Sequence, residues 1–203
     1  MKITFLGHAT LEIQINEFNL LVDPFISGNP MASNVDLDDL KPDFILITHA
    51  HQDHTLDVEK LAKDNNSLII SNFEIVSHFQ SKGLNGHPMN HGGKWNFDFG
   101  ELKYVNAIHT STFPDGSNGG QPGGFIITSN NKSIYIAGDT ALTYDMKLIP
   151  INYNLDLAIL PIGDNFTMGY KDAIIASDFI AVSYTHLRAH ETPEHLVCRL
   201  LLE

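Results

Sequence analysis

The sequence predicts an α/β fold in which β-sheets pack together and helices lie outside them. Short apolar or alternating segments recur along the chain, separated by Gly, Pro, Asn and Asp, and helical patterns lie between them. Strand groups followed by helices occur in two successive halves, which favours this layered class. The 203 residues fit one domain, and 43% hydrophobic with 18% charged residues is a composition that buries a core.

The strand predictions depend on alternation and on apolar content. In LEIQI, Leu11, Ile13 and Ile15 alternate with Glu12 and Gln14, which predicts a half-buried strand. Several of the other segments are apolar enough for a strand that is buried on both faces. These segments are FNLLVDP, DFILITHA, SLIIS, LKYVNAIH, GGFIITS, SIYIAGD and LDLAILPIG.

Helices are predicted from N-cap residues, and from acidic residues in the first turn with basic residues in the last. They are expected at residues 55–64 with Thr55 as N-cap, at 72–82 from Asn72 to the stop at Gly83, from about Thr143, and from about Lys171.

The charge of the chain favours binding of cations. Twelve Lys and Arg against 24 Asp and Glu give a net charge of -12, and eleven histidines accompany them. Such a chain repels a phosphate backbone, so nucleic acid is not an expected partner. No apolar run reaches the ~18 residues of a membrane span, so no membrane partner is expected either. The start lacks the pattern of a signal peptide and Cys198 is the only cysteine, so the cytoplasm is the expected compartment.

The composition changes near the C-terminal end. Residues 181–203 hold both arginines and no lysine, and they resemble translated sequencing-adapter read-through. We therefore predict a domain at 1–180 that is interrupted, followed by a non-native tail at 181–203. The alternative is an ordinary C-terminal helix with leucines along one face.

The strongest chemical signal is Thr48-His49-Ala50-His51-Gln52-Asp53-His54, directly after the apolar strand DFILI. Imidazole and carboxylate groups gathered at a strand end are costly unless something satisfies them. The i, i+2 spacing lets His49 and His51 point the same way, while Asp53 and His54 turn to the other side. This suits two metal ions side by side. The alternative is a solvated polar loop.

Two later residues complete this set. His109 is predicted at the end of the strand LKYVNAIH, and Asp139 at the end of SIYIAG, after Gly138. Taken alone, each residue has a structural interpretation: His109 is a hydrogen-bonded histidine at a strand end, and Asp139 is the N-cap of a helix. With the first cluster, they supply a third imidazole and a bridging carboxylate.

The pattern His49-x-His51-x-Asp53-His54, then His109, then Gly138-Asp139-Thr140 resembles the metallo-β-lactamase superfamily. The segments GHATLEI, LLVDPFISGNP, PDFILITHAHQDH, AGDT and LPIGDNFTMG more narrowly resemble bacterial metal-dependent hydrolases related to the ascorbate-6-phosphate lactonases. The resemblance covers about residues 1–180. It implies a four-layer αββα sandwich, here C-terminally incomplete, with metals at one edge between two sheets.

The resemblance also implies the ligand set of two divalent ions, with zinc expected and manganese or iron as alternatives. His49, His51 and His109 would hold the first ion, Asp53 and His54 the second, and Asp139 would bridge them; Asp53 and Asp139 are the catalytic candidates. His8 and Asp23 are further candidates, which would orient ligands or touch the substrate. Their structural alternatives are a loop hydrogen bond and an Asp-Pro turn.

The superfamily supplies a late histidine to the second ion. The suspect tail occupies that region, and His190 is not assigned because no convincing strand precedes it. We therefore expect this chain to bind fewer than two metals and to turn over poorly.

The function expected is hydrolysis of a small ester, lactone or phosphoester by a metal-bridging hydroxide. The alternatives are a nuclease of the same superfamily and a metal-binding chain without turnover. A small molecule is the expected partner. The sequence defines neither that molecule nor the oligomeric state.

Overall fold

The computed structural model describes residues 1–188. The chain divides into two compact units, one formed by Met1–His91 with Thr110–Pro122 and one by Gly92–His109 with the residues from Gly123 onward. Each unit contains a six-stranded mixed sheet. None of the helices in the described residues is long and apolar enough to cross a bilayer.

The sheet of the first unit runs in the order β1-β2-β3-β4-β5-β6. Its first three strands are antiparallel, and β3 to β6 are parallel. The strands are β1 (Lys2–Gly7), β2 (Thr10–Ile15), β3 (Phe18–Val22), β4 (Phe44–Leu46), β5 (Leu68–Asn72) and β6 (Gly86–Met89). The parallel part brings the carboxyl ends of β3, β4 and β5 to one edge, where such sheets place their ligands.

The helices of the first unit pack on one face of this sheet. They are α1 (Gln52–Thr55), α2 (Val58–Asn65) and α3 (Phe73–Gln80), with 3₁₀ helices at Pro30–Ala32 and Leu37–Asp39. The core between sheet and helices contains Leu21, Ile45, Ile47 and Ile69 with Val58, Leu61, Ile75 and Phe79. Apolar residues at helical spacing in α2 and α3 therefore fasten the helices that follow β4 and β5.

The sheet of the second unit has the order β12-β11-β10-β9-β8-β7, with β10, β11 and β12 parallel and the others antiparallel. The strands are β7 (Lys94–Phe97), β8 (Gly100–Asn106), β9 (Gly123–Ser129), β10 (Lys132–Ile136), β11 (Leu157–Pro161) and β12 (Thr185–Arg188). The helices are α4 (Ile149–Asn152), α5 (Tyr170–Ile180) and a 3₁₀ helix at Tyr144–Leu148. Their core contains Tyr135, Ala137, Met146, Ala158, Leu160, Ala173, Ala176 and Ile180.

Most of the predicted strands are confirmed. In β2, Leu11, Ile13 and Ile15 are buried while Gln14 is exposed, as the alternation predicts. Strands β1, β6, β7 and β12 lie outside the predicted segments. β6 contains Pro88, which argues against a strand, but β6 lies at the sheet edge, where proline is tolerated.

The helix predicted at 55–64 is confirmed for most of its length as α2, but its predicted start is wrong. Thr55 is not its N-cap. It ends the separate short helix α1 and donates its hydroxyl to the carbonyl of His51 at 3.0 Å. Asp57 stands at the start of α2, but its carboxylate does not cap that helix. It accepts instead from the backbone N–H of Ile26 at 2.6 Å and of Ser27 at 3.0 Å, and from the Ser27 hydroxyl. The backbone N–H of Asp57 donates to the carbonyl of Pro24 at 3.2 Å and not to a helical carbonyl, so α1 and α2 are separate at this residue.

The expectation that no strand precedes His190 is also wrong. β12 pairs in parallel with β11, from Ala158 opposite Thr185 to Pro161 opposite Arg188. His190 and Cys198 lie outside the described residues. The origin of residues 181–203 stays a prediction.

Replacing Asp57 tests whether this carboxylate holds the loop after β3. Asp57→Ala leaves one buried and one partly buried backbone N–H group without their acceptor, so we expect the free energy of unfolding to fall by about 2–3 kcal/mol in urea titrations. The control is Asp64→Ala, on the same helix, which removes a surface ion pair with Lys60 and is expected to cost under about 1 kcal/mol. Equal losses for the two variants would contradict this role.

Candidate metal centre

The histidine motif lies where strands β3 and β4 end side by side. The N–H of Asp23, the residue after β3, donates to the carbonyl of Leu46, the last residue of β4, at 3.0 Å. The residues that follow Leu46 and begin the motif therefore lie beside Asp23. His51, in extended conformation, then leads into α1, which carries Asp53 and His54.

The Asp23 carboxylate is buried and collects three hydrogen bonds from the motif. Oδ1 accepts from the Thr48 backbone N–H at 2.8 Å. Oδ2 accepts from the Thr48 hydroxyl at 2.7 Å and faces His54 Nδ1 at 2.9 Å. A carboxylate accepts only, so His54 carries a proton on Nδ1, and the neutral ring presents its lone pair at Nε2.

The same network orients His49. Because the Thr48 hydroxyl donates to Asp23, its oxygen accepts from His49 Nδ1, 3.0 Å away. The lone pair of His49 is then at Nε2. Asp23 therefore sets the tautomer of one histidine directly and of another through Thr48, as the partners of metal-binding histidines do.

His51 is oriented by a different segment. Its Nε2 lies 3.3 Å from the hydroxyl of Thr110, and its Nδ1 faces His49 Nε2 at 3.0 Å. This separation is that of a hydrogen bond, and it is also close to the ~3.3 Å edge of a tetrahedron with bonds of ~2.0–2.1 Å. The Ser111 hydroxyl accepts from the N–H of Ala50 at 3.1 Å and donates to the carbonyl of Gly119 at 3.0 Å, so the turn-rich loop holds the motif loop.

Asp53 and His54 face a third donor, His8. Asp53 Oδ2 lies 3.0 Å from His8 Nε2 and 4.0 Å from His54 Nε2. Each of the three residues offers a donor atom, and these atoms lie within 4.8 Å of one another. The first unit thus gathers five of the predicted residues around Asp23, namely His8, His49, His51, Asp53 and His54.

The second unit brings His109 and Asp139 together, with Nε2 and Oδ2 3.8 Å apart. Two backbone contacts join their segments. The N–H of Ile108 donates to the Thr140 hydroxyl at 3.0 Å, and the N–H of Ala141 donates to the carbonyl of Ile108 at 3.0 Å.

The predicted local setting of these two residues is wrong. Strand β8 ends at Asn106 and β10 at Ile136, so His109 and Asp139 each lie three residues past a strand end. The apolar pattern continues beyond both strands, whereas the hydrogen bonds of Ile108 and Ala141 draw the backbone into loops. Sequence reasoning also gave no role to Thr48, Thr110 or Ser111, whose only signal is their position beside the histidines.

The residues present fit a divalent metal. The donors are imidazole nitrogens and carboxylate oxygens, which suit zinc, manganese or iron. Hydrogen bonds to the other ring nitrogen turn the lone pairs of His49 and His54 to Nε2, and a buried carboxylate supports both. The metal-binding role of the individual residues stays a prediction.

A family model described as a beta-lactamase superfamily domain matches residues 2–182. The chain belongs to the beta-lactamase superfamily. A UPF0173 metal-dependent hydrolase of Flavobacterium johnsoniae is 66% identical over 180 residues, which are 89% of this chain and 80% of that protein. One of Bacillus anthracis is 43% identical over 185 residues, 89% of this chain and 81% of that protein. Within the superfamily, the chain belongs to the UPF0173 metal-dependent hydrolases.

A solved structure is similar as well. Igni18, a metallo hydrolase from the hyperthermophilic archaeon Ignicoccus hospitalis, matches with a TM-score of 0.81 and 28% identity, covering 92% of this chain and 81% of that one. The predicted metallo-β-lactamase fold and the enzyme class are therefore confirmed.

Asp23→Asn tests the orienting network. Asparagine tolerates the left-handed backbone of this residue, whose φ is 46°, but its amide cannot accept from both the backbone N–H of Thr48 and His54. We expect metal affinity, measured by competition with a chelator, to fall by about 10- to 100-fold. The control is Asp43→Asn, where an exposed carboxylate accepts from the N–H of Asn19 at 2.8 Å. An unchanged affinity for Asp23→Asn would refute the role.

Proposed function

We propose that this chain hydrolyses a small ester, lactone or phosphoester with two divalent ions, zinc being expected. The carrying observation is the hydrogen-bond network of Asp23 and Thr48, which presents Nε2 of His49 and His54 beside the Asp53 carboxylate. A solvated polar loop has no need of a buried carboxylate that orients two histidines. Membership of the metal-dependent hydrolases supports the same reaction class.

The proposed ligands follow the motif. His49, His51 and His109 hold one ion, Asp53 and His54 hold the other, and Asp139 bridges the two. In the first unit, the facing nitrogens of His49 and His51 support this assignment. In the second unit, the proximity of His109 and Asp139 supports it. The sharing of ions by these two groups rests on the family resemblance.

Divalent ions supply two functions when bound, since they lower the pKa of water and polarise a carbonyl or phosphoryl oxygen. The side chains divide the remaining work. The Asp53 side chain is 38% exposed, so it can reach a substrate and take the proton of the attacking water. The Asp23 side chain is 1% exposed and only holds histidines in place. Asp139 is buried as well, which suits a carboxylate that bridges ions.

A nuclease of the same superfamily is the second candidate among enzymes. It needs basic side chains along a phosphate backbone, but the net charge is -12. A small-molecule partner is therefore the preferred one. The cytoplasm is the proposed compartment, because a single cysteine makes an intrachain disulfide impossible.

The hydrolase proposal predicts a metal-dependent activity. Chelation should abolish hydrolysis of at least one substrate in a panel of lactones, carboxylic esters and phosphodiesters, and added zinc, manganese or iron should restore it. His49→Ala and Asp53→Ala should each lower kcat/KM by more than about 100-fold, since each removes a ligand rather than its support. His87→Gln, a histidine of β6 away from the cluster, is the control and should keep full activity.

Two results would count against a hydrolase. One is bound metal with no turnover of the panel, which favours the metal-binding alternative. The other is turnover that survives complete metal removal, which excludes the metal-dependent reaction.

The small-molecule preference predicts weak interaction with RNA. In filter-binding or anisotropy assays, single-stranded RNA should not bind at either low or high salt, because the acidic chain repels phosphates. Micromolar binding that weakens steeply with added salt would instead support the nuclease. A net-basic protein of similar size serves as the positive control.

A further inference from the structure

We propose that His8 is a protein ligand of the ion held by Asp53 and His54. This inference rests on the proposed function and deepens it. It gives that ion three protein donors within one compact unit of the chain. The observations are the geometry of the three donor atoms and the way in which the turn around His8 is constructed.

The turn between β1 and β2 places His8 in a conformation that few side chains adopt. Its φ is 54°, in the left-handed region, and Gly7 before it has a φ of 108°. A Cβ at Gly7 would also meet the Asn29 side chain at 3.0 Å. A histidine held in this region is an uncommon arrangement, and such positions concentrate at functional sites.

The turn is tied to the loop that carries Asp23. The Thr10 hydroxyl donates to the carbonyl of Asp23 at 2.8 Å and accepts from the N–H of Phe25 at 3.0 Å. The His8 ring meets the rings of Phe25 and His54 edge-on, with centroids 5.4 and 5.3 Å apart. His8 is therefore positioned by the same segment that orients His49 and His54.

The separations of the donor atoms match those of ligands around one ion. With metal–ligand bonds of ~2.0–2.2 Å, tetrahedral neighbours lie ~3.3–3.6 Å apart, and no two ligand atoms of one ion lie more than ~4.4 Å apart. His8 Nε2 and Asp53 Oδ2 are 3.0 Å apart, and His54 Nε2 and Asp53 Oδ2 are 4.0 Å apart. The His8 side chain is only 11% exposed, so its nitrogen is directed at this group and not at bulk solvent.

This assignment changes one expectation from the sequence. Fewer than two bound metals were expected because the second ion had only Asp53 and His54 as donors of its own. With His8, that ion has three donors, the number that a catalytic zinc site usually takes from the protein. A second equivalent of metal is therefore expected.

The test isolates the group by working in a His51→Ala background, which removes a ligand of the other ion. The probe is Zn²⁺ alone, measured by elemental analysis and by competition with a chelator. The His51→Ala chain should bind one ion, and adding His8→Asn should weaken that binding by at least about 100-fold, since a ligand is lost and not merely its support. Asparagine keeps the left-handed backbone. Adding His87→Asn instead is the matched control and should change nothing.

A second substitution separates a ligand from a positioning residue. His8→Gln places a hydrogen-bond donor near Asp53 but lacks a zinc-binding nitrogen, so it should bind as weakly as His8→Asn. It also provides an independent measurement if circular dichroism shows that His8→Asn does not fold.

Three outcomes would overturn the inference. They are full affinity in the His8→Asn chain, recovery of affinity in the His8→Gln chain, and no bound ion in the His51→Ala chain while the unmodified chain binds metal. Failure of the unmodified chain to bind any metal would instead overturn the proposed function itself.

Discussion

The arrangement of the candidate centre depends on one buried group, the carboxylate of Asp23. Burying a carboxylate is costly unless hydrogen bonds replace its hydration, and here Thr48 and His54 supply them. The carboxylate in turn determines which ring nitrogen of His49 and of His54 carries the proton. Asp23, which the sequence presents as part of an Asp-Pro turn, therefore orients the two imidazoles of His49 and His54 in the candidate centre.

This constraint explains why the motif follows a parallel strand. Parallel pairing of β3 with β4 brings the end of one strand beside the end of the other, so Asp23 meets Thr48 although 25 positions separate them. Helix α2, which follows β4, and α3, which follows β5, are packed on the sheet by their apolar faces. Packing of the core thus sets the positions of polar side chains that could not order themselves in water.

The sequence was most informative where the chemistry is local. The histidine cluster has a fixed spacing, and β2 and β4 show their burial in their own residues, so both could be predicted. The separation of α1 and α2 at Asp57 could not, because the backbone and side chain of Asp57 are bonded to Pro24, Ile26 and Ser27, which are distant in the sequence. The loop position of His109 could not be predicted for a similar reason. The N–H of Ile108 donates to the hydroxyl of Thr140, and the hydrophobic periodicity of the sequence contains no sign of this hydrogen bond.

The two carboxylates near His54 differ in their burial and in their partners. Asp23 is almost wholly buried and is committed to hydrogen bonds within the protein, whereas Asp53 is partly exposed and lies beside His8 and His54. Asp23 is committed to the hydrogen bonds that hold Thr48 and His54, and this supplies the rigidity that the histidines around it require. Orientation of the cluster therefore rests on the buried acid, whereas the other acid of the cluster is the one that faces solvent.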